Sequence, residues 1–466
     1  MSLIPKRFAA AFWAATALSL APLAPALAAT DDDTAAVIAD LRRRLEALEA
    51  QLKAQQAAPA PAAAAAGAGT PAVAAAPTPA PTPAVAAGAE GDKPFQFAWG
   101  GYVKADAIYS RFSDAPVAQG IGRDAYIPNA IPVAAPGAAN GRSYTDFHAK
   151  ETRLYLRGSG VTLGHRIGLN VEFDFISGQL NQSIAGAPNE AVTNAYNPAF
   201  RLGYVDFDHF RIGQDWTTFQ NMVALPDITD VVNWPADGTV FGRQAMLRYT
   251  WGALQLALEN GETTAAAIGS NAFAVTDDNA LPDFVWRYAV NSSRWGSYTL
   301  AGVVRELSDR GTVGAGNDKS LGYGLSFAGR IPLWGADDLR FTVSGGDGIG
   351  RYLGLNTVGD ALVEADGDLR TVEIVNGFVA WRHPWNEQWR SNLMLAAMRA
   401  NTGQSAEGSL FGSNVTRYSR SATVNLLYSP IPKITLGVEY RHARRDTVGG
   451  LGGNLDRLQF SARYNF

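Results

Sequence analysis

The last eleven residues of the chain, DRLQFSARYNF (456–466), alternate between apolar and polar side chains. Successive side chains of a β-strand point to opposite faces, so this stretch predicts a strand with one apolar and one strongly polar face. The apolar parity holds Leu458, Phe460, Ala462, Tyr464 and Phe466, and the polar parity holds Arg457, Gln459, Ser461, Arg463 and Asn465.

The same alternation recurs in ETRLYLRG (151–158), RIGLNVEFDF (166–175), DFVWRYAVN (283–291) and KITLGVEYRH (433–442). We therefore predict sixteen strands after residue 94. Their approximate ranges are 96–112, 146–161, 164–176, 199–207, 210–216, 243–251, 253–260, 283–292, 296–307, 318–331, 338–346, 371–383, 389–401, 415–428, 433–446 and 454–466.

The connections between these strands alternate between long and short. Tight turns such as SRW (293–295) and SPIP (429–432) separate long segments. Long loops at one end and tight turns at the other are typical of an up-and-down transmembrane barrel. An even strand number would place both chain ends on the tight-turn side, which is periplasmic in such barrels. The long segments are 113–145, 177–198, 217–242, 261–282 and 347–370.

A soluble β-sandwich would also alternate, with its apolar face inward. Three features favour the membrane barrel instead. Aromatic residues such as Trp251, Trp295, Trp381 and Tyr464 lie near the turns, where interfacial girdles form. Closure removes the unpaired edges of so large a sheet, and the chain ends on an outward-facing Phe466. The predicted fold is an all-β, sixteen-stranded antiparallel transmembrane β-barrel, wide enough for an aqueous channel.

The chain before the barrel divides by composition. Residues 1–29 have a basic start, an apolar stretch and the triplet Ala26-Leu27-Ala28, the layout of a secretory signal peptide. We expect a coiled-coil helix over 30–56, an Ala/Pro-rich linker over 57–93 and the barrel over 94–466. The mature protein would then reside in the outer membrane of a Gram-negative bacterium, with the coiled coil on the periplasmic side.

The helix of residues 30–56 has a narrow apolar stripe with heptad spacing. A lone amphipathic helix is the alternative, and two heptads alone are too few to hold an oligomer. The stripe consists of Ile38, Leu41, Leu45, Leu48 and Leu52.

Composition argues against several other classes of protein. A mean hydropathy of −0.07 and 18% charged residues do not fit a bundle of membrane helices. The absence of cysteine excludes disulfides, thiolate metal sites and a Cys nucleophile. The five histidines form no recognisable catalytic group with Ser or Asp, so we expect no enzyme. No cofactor, metal or nucleic-acid partner is expected, and Asp227, Asp230, Asp277 and Asp278 are interpreted as solvated loop acids.

Arginine dominates the cations of the predicted barrel, with 28 arginines against four lysines, alongside 35 acids. Its planar guanidinium binds carboxylates through two hydrogen bonds and keeps its charge. Inward mid-strand acids are fewer: Asp106, Glu172, Asp174, Glu259 and Glu439. The alternative is that the arginines brace the wall by pairing with Glu172, Asp174 and Glu439. The predicted pore-lining cations are Lys104, Arg153, Arg157, Arg166, Arg201, Arg248, Arg287, Arg305, Arg441, Arg457 and Arg463, and Arg399 is also assigned to the inward parity.

The segment 217–242 is too apolar for a solvent-exposed loop, since it includes Leu225, Trp234 and Phe241. We expect it to fold into the barrel as a constriction. Packing against a neighbouring barrel is the alternative.

With these features assembled, the chain resembles the DcaP-like family of trimeric outer-membrane porins. GYVKADAIY (101–109) is similar to the family's first strand, and RIGQDWTTF (211–219) and GRQAMLRYTW (242–251) to its middle. The resemblance implies a sixteen-stranded homotrimer that passes dicarboxylates, aromatic ones included, through an arginine-lined pore. The expected partners are small anionic solutes and outer-membrane lipid.

Two functional hypotheses follow. The first is an outer-membrane porin for passive diffusion of small anionic solutes, chiefly dicarboxylates. The second is a structural barrel that tethers the outer membrane to the cell wall through residues 30–93 and has only incidental pore activity.

Overall fold

The computed structural model describes residues 92–176, 196–230, 235–268, 270, 272–314, 318–403 and 414–466. The predicted signal peptide and coiled coil, and nearly all of the predicted linker, lie outside these residues. The strands are β1 Lys93–Phe112, β2 Arg142–His148, β3 Arg153–Thr162, β4 His165–Asp174, β5 Ala199–Phe207, β6 Phe210–Trp216, β7 Arg243–Trp251, β8 Leu254–Glu259, β9 Thr264–Ala267, β10 Ala274–Val275, β11 Asp283–Ser292, β12 Gly296–Asp309, β13 Asp318–Pro332, β14 Asp338–Asp347, β15 Ala361–Val363, β16 Leu369–Thr371, β17 Glu373–Pro384, β18 Trp389–Asn401, β19 Thr416–Tyr428, β20 Ile434–Thr447 and β21 Gly452–Asn465.

Seventeen of these strands form one antiparallel sheet that closes on itself. The seam joins β1 to β21, where Tyr102 pairs with Asn465 and Phe112 with Leu455. Because β2 and β3 both pair with β1 and together form a single interrupted stave, the barrel has sixteen staves. Closure pairs the strand edges, as a lipid environment requires. The predicted sixteen-stranded barrel is confirmed.

The interruption between β2 and β3 was not predicted, and the stave begins at Arg142 rather than near residue 146. At the break the chain turns inward and buries Lys150 and Glu151. The Nζ of Lys150 donates to an Asp124 carboxylate oxygen at 2.6 Å, inside the barrel. A buried ion pair between loop and wall therefore explains why the strand ladder stops here.

The two faces of the wall follow the predicted alternation. Away from the strand ends, outward side chains are mainly aliphatic or aromatic, and Trp251 and Trp295 beside the tight turns are 70% and 64% exposed. Tyr464 and Trp381 also point outward near that end. Inward positions in β19, such as Thr423 and Asn425, are polar and buried. The predicted aromatic girdle is therefore present on the tight-turn side.

The long-loop end contains an additional small sheet. Strands β10, β9, β15 and β16 pair in that order, and β9 runs parallel to β15. Apolar residues around it, among them Leu362, Ile349 and Tyr352, pack against inward wall residues such as Val303 and Ile374. The segments that the sequence predicts as open loops thus fill part of the barrel with a buried apolar core.

Helical structure is minor in the described part of the chain. One short α-helix, α1, spans Ile121–Asp124, and 3₁₀ turns occur at Pro128–Ala130, Ala236–Gly238 and Gly350–Tyr352. Among the residues described, no helix has the length and apolar character needed to cross a membrane.

Candidate functional site

The described residues of the segment 217–242, namely 217–230 and 235–242, are hereafter called the inner loop. The inner loop enters the barrel and contacts its wall. On one side its residue Thr229 bonds to three strands. The backbone oxygen of Thr229 accepts hydrogen bonds from Lys104 at 2.6 Å and from Gln459 at 2.9 Å. The Thr229 amide donates to Glu439 at 2.9 Å. The inner loop is therefore held against β1, β20 and β21.

The opposite wall holds the inner loop through arginines. Both Arg382 and Arg390 donate from Nε to the same carboxylate oxygen of Asp227, each at 3.1 Å. Arg340 donates to the Leu225 carbonyl and lies 3.8 Å from Asp227. Burial alone would raise the pKa of Asp227, but the guanidiniums of Arg340, Arg390 and Arg382 outweigh it and lower the pKa to about 2.

These contacts confirm the predicted inward folding for the described residues of the segment 217–242. They also correct the interpretation of two of its acids as solvated. Asp227 and Asp230 are 6% and 1% exposed. Asp230 accepts a hydrogen bond from Arg441 at 2.9 Å and another from the Tyr126 amide at 3.0 Å. The correction follows from wall arginines, which compensate the cost of burying these carboxylates.

A cavity lies between the inner loop and the tight-turn end of the barrel, hereafter the turn-side cavity. Eight cationic and two acidic side chains line it. This imbalance creates a positive potential in a confined space with low-dielectric walls. The cations are Lys104, Arg153, Arg157, Arg201, Arg330, Arg340, Arg390 and Arg463, and the acids are Glu172 and Asp227.

Most of these cations already have carboxylate partners. Arg201 pairs with Glu172 at 2.7 Å, Arg330 pairs with Asp338 at 2.9 Å, and Lys104 lies 3.3 Å from Asp106. Arg153 is more loosely paired, 3.5 Å from Glu172. Such pairs fix the geometry of the wall and neutralise much of its charge.

Arg157 and Arg463 differ, because neither pairs with a carboxylate of the described chain. Arg157 donates to Asn170 at 3.2 Å and lies 4.1 Å from the centre of the Tyr155 ring. Arg463 lies 5.3 Å from the centre of the Tyr102 ring, and its Nε has no hydrogen-bond partner among the residues described. These two guanidiniums are therefore available to an anion in the cavity.

The inner loop gives the same cavity an apolar side. Trp216 and the loop residues Met222, Leu225, Pro226 and Ile228 contribute to its lining. The cavity thus places guanidiniums opposite apolar groups, an arrangement that suits an organic anion better than a small inorganic one.

The predicted pore-lining residues separate into groups. Five line the turn-side cavity: Lys104, Arg153, Arg157, Arg201 and Arg463. Arg166 lies beside the tight turn at 163–164, where its amide donates to Asp208 at 2.9 Å, and is outside the cavity lining.

The remaining predicted arginines hold inward-folded loops. Arg305 pairs with Asp360 at 2.8 Å, Arg248 donates to Thr218 at 2.8 Å, and Arg287 donates to the Gln220 carbonyl. Arg441 pairs with Asp230 at 2.9 Å, as described above. Arg457 donates to the Gly122 carbonyl at 3.1 Å. For these five, the structure favours the alternative that arginines brace the barrel, although through loops more than through wall acids.

The inward assignment of Arg399 was wrong. In β18 the buried parity holds Met394, Ala396 and Met398, and Arg399 lies on the exposed parity with Leu395. Polarity alone misassigns this strand end at the long-loop side, because the inward Met398 is apolar and packs in a buried core, whereas the outward Arg399 is charged.

Sequence reasoning missed Arg330, Arg340 and Arg390, which also line the turn-side cavity. The alternation of the strands is enough to predict that Arg330 and Arg340 point inward. Phe327 and Val343 lie in the same strands on the opposite parity, point outward and are exposed. They were missed because only mid-strand positions were considered, whereas these arginines lie towards the tight turns.

A family model described as "DcaP outer membrane protein" matches residues 169–466, more than half of the chain. The matched range does not include residues 101–109. No curated protein matches the chain in sequence.

Solved structures with the same barrel include the outer membrane channel DcaP of Acinetobacter baumannii. That structure has a TM-score of 0.64 and 20% sequence identity, and the match covers 80% of this chain and 97% of that one. The anion-selective porin from Comamonas acidovorans has a TM-score of 0.45 and 13% identity, covering 80% of this chain and all of that one. The first of these matches supports the barrel fold.

Proposed function

The chain belongs to the DcaP outer membrane protein family, and from this premise we propose that it is a porin for passive diffusion of small anionic solutes. As a member of this family with a closed barrel, it is an outer membrane protein with a porin-type channel fold and is not an enzyme.

The observation that carries the anion proposal is the charge of the turn-side cavity. Eight cations against two acids line it, and Arg157 and Arg463 have no carboxylate partner in the described chain. An anion passing through would replace part of its hydration with guanidinium hydrogen bonds. A cation would be repelled by the positive potential of these two guanidiniums at the same place.

We further propose dicarboxylates as the preferred solutes. The Arg153 and Arg463 guanidiniums lie near the Tyr102 ring, each 5.3 Å from its centre, so two cationic groups can address two carboxylates. The apolar residues of the inner loop would contact the carbon skeleton between them. Aromatic dicarboxylates are the members of this class that the family resemblance implies.

The proposed orientation places the tight turns and both chain ends in the periplasm and the long loops outside the cell. It rests on the even stave number and on the aromatic girdle beside the turns.

We also propose a homotrimer, which is the assembly that the family resemblance implies. Native mass spectrometry of the detergent-solubilised protein would test the trimer, and a monomer only would overturn it.

Planar-bilayer recordings test the anion proposal. In a KCl gradient, the reversal potential should have the sign of chloride-selective conductance, because the positive cavity favours anions. A potential of the opposite sign would contradict the proposal.

Liposome swelling tests the solute class. Swelling should be faster with dicarboxylates than with monocarboxylates or tricarboxylates of similar size. Equal swelling rates with monocarboxylates, dicarboxylates and tricarboxylates would contradict the dicarboxylate proposal and would be consistent with a general anion porin. Swelling with neither anions nor neutral sugars would instead favour the tethering barrel.

A further inference from the structure

The outward face of β18, β19 and β20 carries an arginine cluster near the long-loop end. Arg420 in β19 lies directly across the ladder from Arg444 in β20. Arg399 in β18 faces outward beside Tyr418, and its guanidinium lies 5.6 Å from the ring centre. Like charges placed opposite each other on one face of a sheet destabilise it unless an anion compensates them.

The described part of the chain supplies little of that compensation. Arg444 pairs with the neighbouring Asp446 at 2.8 Å, and this pair is partly exposed. Arg399 and Arg420 have no carboxylate partner within the described residues. The nearby outward acid Asp456 already accepts hydrogen bonds from Tyr440 and bonds to His442, both at 2.8 Å. The cluster therefore retains uncompensated positive charge on the outer surface.

An apolar groove of about 580 Å³ lies on the same face, towards the tight turns from the arginines. In β19 the small residue Ala422 occupies the outward position between Arg420 and Val424, and Leu395 and His442 flank it on the neighbouring strands. A linear apolar chain could therefore run from the arginines into the groove without crossing a bulky side chain. The groove is lined mainly by Trp385, Trp389, Val424, Leu426, Val438 and Tyr440.

We propose that this surface binds one phosphorylated lipid of the outer leaflet, with a phosphate on Arg399, Arg420 and Arg444 and an acyl chain in the groove. Arginine matches phosphate geometry with two parallel hydrogen bonds, and an aliphatic groove matches a hydrocarbon chain. Arg420 and Val424 are four residues apart, about 13 Å along the strand, so one lipid can reach both sites.

A second copy of the chain fits this surface less well. It would have to supply carboxylates from its own lipid-facing wall, and the neighbouring outward acids Asp446 and Asp456 already have partners. A second copy would also leave the apolar groove unfilled, whereas the groove has the shape of a single acyl chain. The lipid proposal rests on the proposed orientation, which places the arginines at the outer leaflet, but it does not depend on what the channel conducts.

The test uses the full-length protein in detergent and a fluorescent lipid A that carries both phosphates, with binding followed by anisotropy. The double substitution R420Q/R444Q should weaken binding about tenfold or more, because it removes two charge-assisted phosphate contacts. The matched control is R294Q/K319Q, which removes two exposed cations elsewhere on the barrel and should leave the affinity unchanged. Equal affinity in the double variant and the wild type would overturn the proposal.

Two further measurements keep the test decisive if the double variant folds poorly. Wild-type protein should bind dephosphorylated lipid A at least about tenfold more weakly than the bisphosphorylated form. Ala422→Trp should block the acyl chain and weaken binding while every arginine remains. Undiminished binding in either measurement would overturn the proposal. The proposal would also fail if R420Q/R444Q lost its oligomeric state but kept its lipid binding, because that result would identify the surface as a contact between copies of the chain. Bilayer conductance should be the same in all these variants, so failure here is distinguishable from failure of the anion proposal.

Discussion

Arg463 and Arg305 show that the same residue type has two uses inside this barrel. The Arg305 guanidinium lies between Asp283 and Asp360, at 3.3 and 2.8 Å, and is fully buried. Among the described residues, the close partner of the Arg463 side chain is the ring of Tyr102, and Arg463 faces the turn-side cavity. A buried, paired arginine contributes structure, and an unpaired one contributes electrostatic potential to the pore. Selectivity should therefore depend on a few arginines and not on their total number.

Arg463→Gln should lower the anion preference of the channel. We expect the anion-to-cation permeability ratio, measured from the reversal potential in a KCl gradient, to fall by about a factor of two to five, because one unpaired cavity charge is lost. Lys433→Gln is the matched control, since Lys433 is an exposed cation in a tight turn. An equal fall in both variants would show that total charge, and not the cavity, sets selectivity.

Asp227 should anchor the inner loop over nearly the whole accessible pH range. Its carboxyl has a pKa lowered to about 2 in the folded protein, against an ordinary value of 3.8. The stabilisation is therefore present above about pH 4 and is lost as the pH falls towards 2, and it amounts to roughly 2 kcal/mol. Single-channel current should stay quiet from pH 7 to pH 4 and become noisy below about pH 3.

Asp227→Asn gives the matching result at neutral pH. The amide cannot hold the charges of Arg382 and Arg390, so the variant should show at pH 7 the noise that the wild type shows only in acid. A quiet Asp227→Asn channel would mean that the backbone bonds of Thr229 suffice to hold the loop.

At the scale of single residues, the sequence predicts which arginines face the lumen but not which of them are paired. Alternation identifies Arg153 and Arg463 as inward because the neighbouring outward residues are clearly apolar. It cannot say which arginines are paired, because the partners lie far along the chain: Asp230 is 211 residues from Arg441. Non-local partners of this kind leave no local pattern.

At the scale of elements, the inner loop determines how the lumen is divided. Its backbone runs close to the wall at Gly238, where an added Cβ would lie 2.5 Å from the Gly377 carbonyl oxygen and 2.8 Å from the Phe378 Cβ. A side chain of any size is thus excluded at this contact. The loop's apolar composition predicted that it folds inward, but only the structure shows the two walls that hold it.

Gly238→Ala should push the inner loop away from β17. We expect a loss of stability of about 1–3 kcal/mol from overpacking. Single-channel conductance should rise and fluctuate more, because the loop no longer keeps one position. Gly242→Ala is the control in the same loop, since its added Cβ would meet Thr217 only at 3.5 Å, an ordinary contact. Similar changes in both variants would contradict the assigned role of the wall contact.

The element scale also marks a limit of sequence reasoning. The barrel strands were predicted to within a few residues because each alternates and ends at a turn. The small sheet of β9, β10, β15 and β16 was missed, because β9 and β15 pair in parallel across 96 residues and show no alternation of their own. Short strands that are buried on both faces look like apolar loops.

At the scale of the whole molecule, the barrel closes without the N-terminal segments. The seam runs from Tyr102–Asn465 to Phe112–Leu455, and β1 begins at Lys93. Every strand pair of the described ring is therefore formed by residues after 92. The predicted coiled coil and nearly all of the predicted linker precede this ring, so the strand pairing of the wall does not depend on them, and we propose that they serve assembly or attachment.

Deletion of residues 30–91 should separate the porin hypothesis from the tethering hypothesis. If the protein is a porin, the truncated barrel keeps the wild-type single-channel conductance and reversal potential in a KCl gradient, because the cavity and its arginines are intact. Cells that carry it should also take up dicarboxylates at the wild-type rate. If tethering is the main role, uptake is unimportant and the deletion instead reduces the protein that sediments with purified cell wall. A truncated barrel with altered selectivity would contradict both readings, since it would place a pore-lining group in residues that precede the wall.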